Sequence, residues 1–150
     1  EGMPKPAGID LQKVFTKEGG RFTSEERFKE ICRKDLHRIS IVKGFYDETL
    51  PHYQWNDDHK IVLAYIDCDY YSSTVSVLDF IQNKLAHGAL VAFDDFNCYY
   101  GDPLRGENRA FGEWRKRIEH SAHFEPFLPI SDVGMSYIFL KKELLGKEVL

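Results

Sequence analysis

Cysteine is scarce: Cys32, Cys68 and Cys98 are an odd number with no CxxC spacing, which argues against a disulfide framework or a structural zinc site and points to a reducing cytoplasm. No apolar run approaches the roughly 18 residues that a membrane span requires. Glu1-Gly2-Met3-Pro4-Lys5-Pro6 does not have the pattern of a signal peptide. Basic residues number 20 against 24 acidic ones, a formal charge of -4, and no basic block is interleaved with aromatics, so nucleic acid is not an expected partner. Internal repeats and low-complexity tracts are also lacking. What is present is 150 residues, 43% hydrophobic and 14% aromatic, enough for one domain with a sizeable core.

Residues 1–22, rich in Gly, Pro and Lys, read as a loop-rich lead-in with at most a turn of helix around Ile9 to Phe15. Thr23-Ser24-Glu25-Glu26 reads as a capping box with Thr23 at the cap, and Phe28, Ile31 and Cys32 follow at helical spacing, so a short helix is expected up to about Lys34. Residues 38–44 alternate apolar and polar side chains and close on Gly44, which predicts a strand and a turn. A polar, aromatic loop then runs to Lys60. Thr74, Val77, Leu78, Ile81 and Leu85 share one helical face, and Gly88 sits where a left-handed C-terminal cap is expected. Ala110, Phe111, Trp114 and Ile118 mark another helix, with Arg115, Lys116 and Arg117 suiting its C-terminal dipole. Residues 124–130 and 134–141 read as an antiparallel hairpin about Ser131-Asp132-Val133. Alternating strands and helices closed by a hairpin predict an α/β fold, a mostly parallel sheet with an antiparallel edge.

Two strands stand out. Ile61-Val62-Leu63-Ala64-Tyr65-Ile66 is an apolar run that stops at Asp67-Cys68-Asp69, and Ala89-Leu90-Val91-Ala92-Phe93 stops at Asp94-Asp95. Neighbouring parallel strands present their C-terminal ends to a common crevice, so three or four Asp residues are expected to converge there. Like charges so placed repel unless a cation neutralises them, and all-oxygen ligation favours a hard ion, Mg²⁺ above all. The plainer reading is that Asp69 and Asp95 only cap the helices that follow; it explains one Asp per strand and leaves the pairing unexplained. Asp67-Cys68-Asp69 alone also resembles the Asp-x-Asp of nucleotide-sugar glycosyltransferases, which keeps a metal-dependent glycosyltransferase as a rival. It resembles the Asp-x-Asp-x-Thr of haloacid-dehalogenase-like phosphatases less well, because Tyr71 stands where Thr should be. The six histidines show no ligand spacing on one helix face.

Gly2-Met3-Pro4, the run from Val42-Lys43-Gly44-Phe45-Tyr46 to Thr49-Leu50-Pro51, the run from Tyr65-Ile66-Asp67 to Ser72-Ser73-Thr74, and Phe93-Asp94-Asp95-Phe96 together resemble the macrocin O-methyltransferase family. The likeness runs in order over most of the chain. It implies a Rossmann-like class I methyltransferase fold and a Mg²⁺- and S-adenosylmethionine-dependent enzyme that methylates a hydroxyl of a sugar or other natural product, a small-molecule acceptor. Carried over by position, it implies Asp67, Asp94 and Asp95 as metal ligands and Gly44, Phe45 and Asp67 at the cofactor. The 27 residues between Asp67 and Asp94 (94 minus 67) are also similar to the ligand spacing of catechol O-methyltransferases. For the general base it implies Asp69, or Tyr70 where relatives place the base one residue later.

The family carries a Gly-rich cofactor turn ahead of its Gly-x-Pro segment, whereas here Gly2-Met3-Pro4 stands at the start and Gly19-Gly20 is not preceded by a strand. These absences predict a partial methyltransferase domain over residues 1–150, its C-terminal portion, with a non-catalytic fragment or remnant as the rival reading. The resemblance places two further strands between 38–44 and 61–67. Folding without them predicts either direct pairing of 38–44 with 61–67 or association through that edge into a homo-oligomer.

Overall fold

The structure, a computed structural model, describes residues 23–147. The lead-in over residues 1–22, with Gly2, Met3 and Pro4, Gly19 and Gly20, and the turn around Ile9 to Phe15, lies outside them. Among the described residues four α-helices, α1 (Glu25–Ile31), α2 (Tyr46–Thr49), α3 (Tyr71–Ile81) and α4 (Gly106–Arg117), accompany four strands. These are β1 (Ile61–Ile66), β2 (Leu85–Phe93), β3 (Ala122–Pro129) and β4 (Met135–Lys141), and they form one sheet in the order β1-β2-β4-β3. β1 runs parallel to β2, while β2 with β4 and β3 with β4 are antiparallel. The expected α/β class, parallel start and closing hairpin are all present, with Pro126 and Pro129 on the edge strand β3, where a missing N–H breaks no inner ladder.

Several boundaries differ from expectation for local reasons. The cap of α1 is Ser24, not Thr23, because Ser24 is the residue in extended conformation and its Oγ accepts from the Arg27 N–H at 3.2 Å. Gly88 does not cap α3: the helix stops at Ile81, and Gly88 lies inside β2 with φ +81°. Between the pairs Ile61 with Leu85 and Leu63 with Leu90 the register shifts, so β2 bulges there, and glycine takes the left-handed backbone that the bulge requires. Residues 38–44 do not form a strand. Leu36–Arg38 is a turn of 3-10 helix, and the segment after it lies beside α1, where Lys43 Nζ is 3.6 Å from Glu25 Oε2. Direct pairing of this segment with β1 is therefore not what the chain adopts, and the outer edge of β1 has no strand partner among the described residues. Val62, Leu63 and Tyr65 are 70%, 57% and 58% exposed there.

β2 is the inner strand on which the core is built. Val91 and Phe93 are fully buried, and α3 and α4 pack together over them through Leu78, Ile81, Phe111 and Trp114. Much of the aromatic content is spent here: the Phe111 ring lies 4.4 Å from Tyr137 and 5.1 Å from both Phe93 and Phe124. Trp114 is core, as its helical position implied, and donates to Gln82 Oε1 at 3.2 Å. Trp55 packs locally, edge-on to Phe80 with its N–H on the His59 carbonyl. Among the described residues no helix is long and apolar enough to cross a membrane. Phe111→Ala would leave a cavity among five aromatic residues, Phe93, Phe96, Trp114, Phe124 and Tyr137, so it is expected to lower unfolding stability by about 3–5 kcal/mol in urea titration. A loss under about 1 kcal/mol would show that this cluster is not the centre of the core.

Candidate active site

The two apolar strands end level with each other. Ile66 pairs with Phe93, and the Asp94 N–H donates to the Ile66 carbonyl at 2.9 Å. Beyond that point each chain turns away and carries its carboxylates with it. In the first turn Asp69 has φ +56°, a left-handed conformation that a side chain rarely adopts. The turn delivers Tyr70 to the start of α3, where the Thr74 N–H and Oγ1 both donate to the Tyr70 carbonyl, at 3.0 and 2.7 Å.

Asp67, Asp69 and Asp95 converge, each offering a carboxylate oxygen within 4.8 Å of the others. Asp67 is exposed, and Asp69 and Asp95 are half-buried. Asp94 lies outside this group, its carboxylate held by the Tyr65 hydroxyl. That bond, then burial, raises the Tyr65 hydroxyl to about 12. Tyr70, the other candidate base, is 1% exposed and packs with Tyr99 and Cys98. Gly44 has φ +140°, and a Cβ there would lie 2.4 Å from Thr49 Cγ2, so glycine is required by the entry to α2. Phe45 caps that helix, its carbonyl accepting from the Thr49 N–H and Oγ1.

Three residues that the sequence did not single out join the site. Tyr46, at the start of α2, has its hydroxyl raised above the ordinary range, first by the Cys68 sulfur, then by burial, its hydrogen bond to that sulfur, and the charges of Asp67 and Asp69. Cys68 itself is pushed up to about 12, chiefly by burial and by Glu107, so it stays a thiol near neutral pH. Tyr65 is the second residue. The third is Glu107, fully buried in the first turn of α4, whose Oε1 accepts from the Cys68 N–H at 3.2 Å and Oε2 from the Asp95 N–H at 3.0 Å. Tyr46 and Tyr65 stand in the runs that carry the family resemblance, which gave them no role; Glu107 stands in no motif, and the start of α4 at Gly106 brings it to the strand ends. Among the described residues the cleft between α1 and the segment after it, lined by Phe28, Ile39 and Lys43, includes none of the strand-end aspartates. His87 serves the sheet, accepting from the Lys141 N–H at 3.0 Å.

An α/β sheet whose acidic turns stand at the carboxyl ends of parallel strands is the arrangement of a class I methyltransferase, and structural comparison bears this out. The O-methyltransferase NovP superposes with a TM-score of 0.62 at 23% identity, over 79% of this chain and 46% of that one. Calicheamicin methyltransferase CalS11 superposes with a TM-score of 0.58 at 28% identity, over 91% of this chain and 56% of that one. The chain thus spans about half the length of these solved structures. A search of the curated proteins gave no significant match. The model of the macrocin-O-methyltransferase (TylF) family matches residues 10–122, and the chain belongs to that family.

Burial pushes the Glu107 carboxyl up to about 8; the two N–H donors lower it in part, and the charges of Asp95 and Asp69 add to the rise. A folded-state value above the ordinary 4.5 means that the folded protein keeps a proton there which the unfolded chain releases. The stabilising proton is fully effective below about 4.5 and is lost as pH rises through about 8. Urea unfolding in the presence of a chelator is expected to show stability falling across that window, with the slope reduced in Glu107→Gln. An equal slope in both proteins would contradict the assignment.

Proposed function

We propose that this chain forms the acceptor and metal side of an O-methyltransferase that transfers a methyl group from S-adenosylmethionine to a hydroxyl of a sugar or related natural product. The observation that carries this is the convergence of Asp67, Asp69 and Asp95 at the level ends of β1 and β2 in a chain of this family. Family membership also favours methyl transfer over the glycosyltransferase alternative.

The donor set suits Mg²⁺: all oxygen, anionic, close together and open to solvent at Asp67. Asp67 and Asp95, common to the cluster and to the ligand set implied by the resemblance, would hold the ion. Asp94 would complete that set, and Tyr65 is the group that now engages it. When bound, the ion would lower the pKa of the acceptor hydroxyl and S-adenosylmethionine would supply the electrophilic methyl group. Gly44, Phe45 and Asp67 are the residues of this chain that would hold the methyl donor.

The remaining work falls to the protein. Asp69 is positioned to accept the proton of the acceptor hydroxyl, since it stands in the cluster and is only half-buried. The turn that carries it is fixed at both ends, by the last pairs of β1 and by the Tyr70 carbonyl bonds at the start of α3. A base held so needs little reorganisation when the acceptor arrives.

In the full-length protein, Asp69→Asn is expected to slow methyl transfer about 10²- to 10⁴-fold while leaving S-adenosylhomocysteine binding unchanged. Chelation should abolish turnover and Mg²⁺ restore it, as measured by mass spectrometry of the product. Full turnover after chelation would remove the metal from the account. Binding of a nucleotide-sugar with Mn²⁺, but not of S-adenosylhomocysteine, would favour the glycosyltransferase; binding of neither would favour a non-catalytic remnant.

A further inference from the structure

We propose that Glu107 is a positioning residue for the strand-end aspartates: its buried carboxyl group bridges the two turns that carry them and sets the gap between Asp67, Asp69 and Asp95. The proposal rests on the reading of these aspartates as a cation site.

A Glu in the first turn of a helix ordinarily serves that helix's own free N–H groups. Glu107 does not. Its two oxygens accept instead from N–H groups 39 and 12 residues away, one on Cys68 between Asp67 and Asp69, the other on Asp95 itself. Each oxygen takes a different turn, so one side chain ties both to the end of α4. Burying a carboxyl group is unfavourable unless its hydrogen bonds are met, and among the described residues Glu107 has no salt bridge with Lys, Arg or His. A Leu would fill the same space without that penalty; the two backbone bonds are what a carboxyl group adds.

The anchor is firm because α4 is. Phe111 and Trp114, one and two turns further along, are set into the aromatic core under Phe93. At the helix start Gly106 has φ +51°, and a Cβ there would meet the Tyr99 ring at 2.4 Å and the Asp69 carbonyl at 3.6 Å. Glycine thus takes the left-handed backbone and the close approach to Tyr99 with which α4 begins, one residue before Glu107.

Gln keeps the size of Glu107 but offers one acceptor oxygen in place of two, so one of the turns meets an NH₂ that cannot accept. Loss of an outer hydrogen bond of this kind typically weakens metal binding about 10- to 100-fold. The test is Mn²⁺ binding to the full-length protein, followed by the electron paramagnetic resonance signal of the free ion. Phe139→Leu, a change in the buried core on β4 whose ring meets Phe124 and no aromatic residue of α4, serves as a control for destabilisation. Glu107→Gln is expected to bind Mn²⁺ at least tenfold more weakly than the unaltered protein, with Phe139→Leu unchanged. If Glu107→Gln does not fold, Glu107→Asp takes its place: it keeps both oxygens but draws them back by one methylene, and weaker binding is again expected. Equal affinity in a folded Glu107 variant, or an equal loss in Phe139→Leu, overturns the positioning role while leaving the cation site intact. Failure of the unaltered protein to bind Mn²⁺ overturns the cation reading and this proposal with it.

Discussion

The parallel pairing of β1 with β2, kept in step to its last residue, is the constraint on which the site depends. Side chains alternate across a strand, so a slip of one residue would send the carboxylates of one strand to the wrong face. Here the pairs Ala64 with Val91, Tyr65 with Ala92 and Ile66 with Phe93 follow without a break, and the Asp94 N–H closes the ladder on the Ile66 carbonyl. The irregularity that this strand pair contains is pushed to the far end, at the bulge around Gly88. β4 on the other side of β2, and the aromatic rings beneath, keep Phe93 where the acidic turns begin.

Several unfavourable terms are gathered in one place. Carboxylates within 4.8 Å of one another repel by a few kcal/mol per pair at an effective dielectric near ~20. The left-handed backbone of Asp69 adds on the order of 1–2 kcal/mol. Strain and like charge that serve no packing purpose are characteristic of functional sites, where a bound group offsets them. The rest of the domain is conventional by comparison: an aromatic core, a capped first helix and a hairpin on the outer edge. It holds the unfavourable turn in place, through Thr74 on one side and Glu107 on the other.

The features legible in the sequence were those that a local pattern carries. Two apolar runs ending in paired aspartates announced both strands and their alignment, and the periodic faces of α3 and α4 announced the helices. The pattern could not say which of Asp94 and Asp95 joins Asp67 and Asp69 in the cluster, because the turn after Phe93 decides it. Tyr65, read as a strand residue, turned out to engage Asp94. Glu107 was invisible because it precedes the first apolar position of α4 and so lies outside the periodic face that marked the helix. Residues 38–44 have a strand's composition but, among the described residues, no strand beside them to complete a ladder, and composition alone does not pair backbone groups. Family resemblance supplied what spacing could not, the methyl donor and the hydroxyl acceptor.

The central claim is that the level ends of β1 and β2 make a divalent-cation site. It is tested most directly by a crystal structure of the full-length protein grown with Mn²⁺ and S-adenosylhomocysteine, with data collected at the manganese edge. The account predicts one strong anomalous peak bonded to oxygens of Asp67 and Asp95. A peak elsewhere, or none at saturating Mn²⁺, would contradict it.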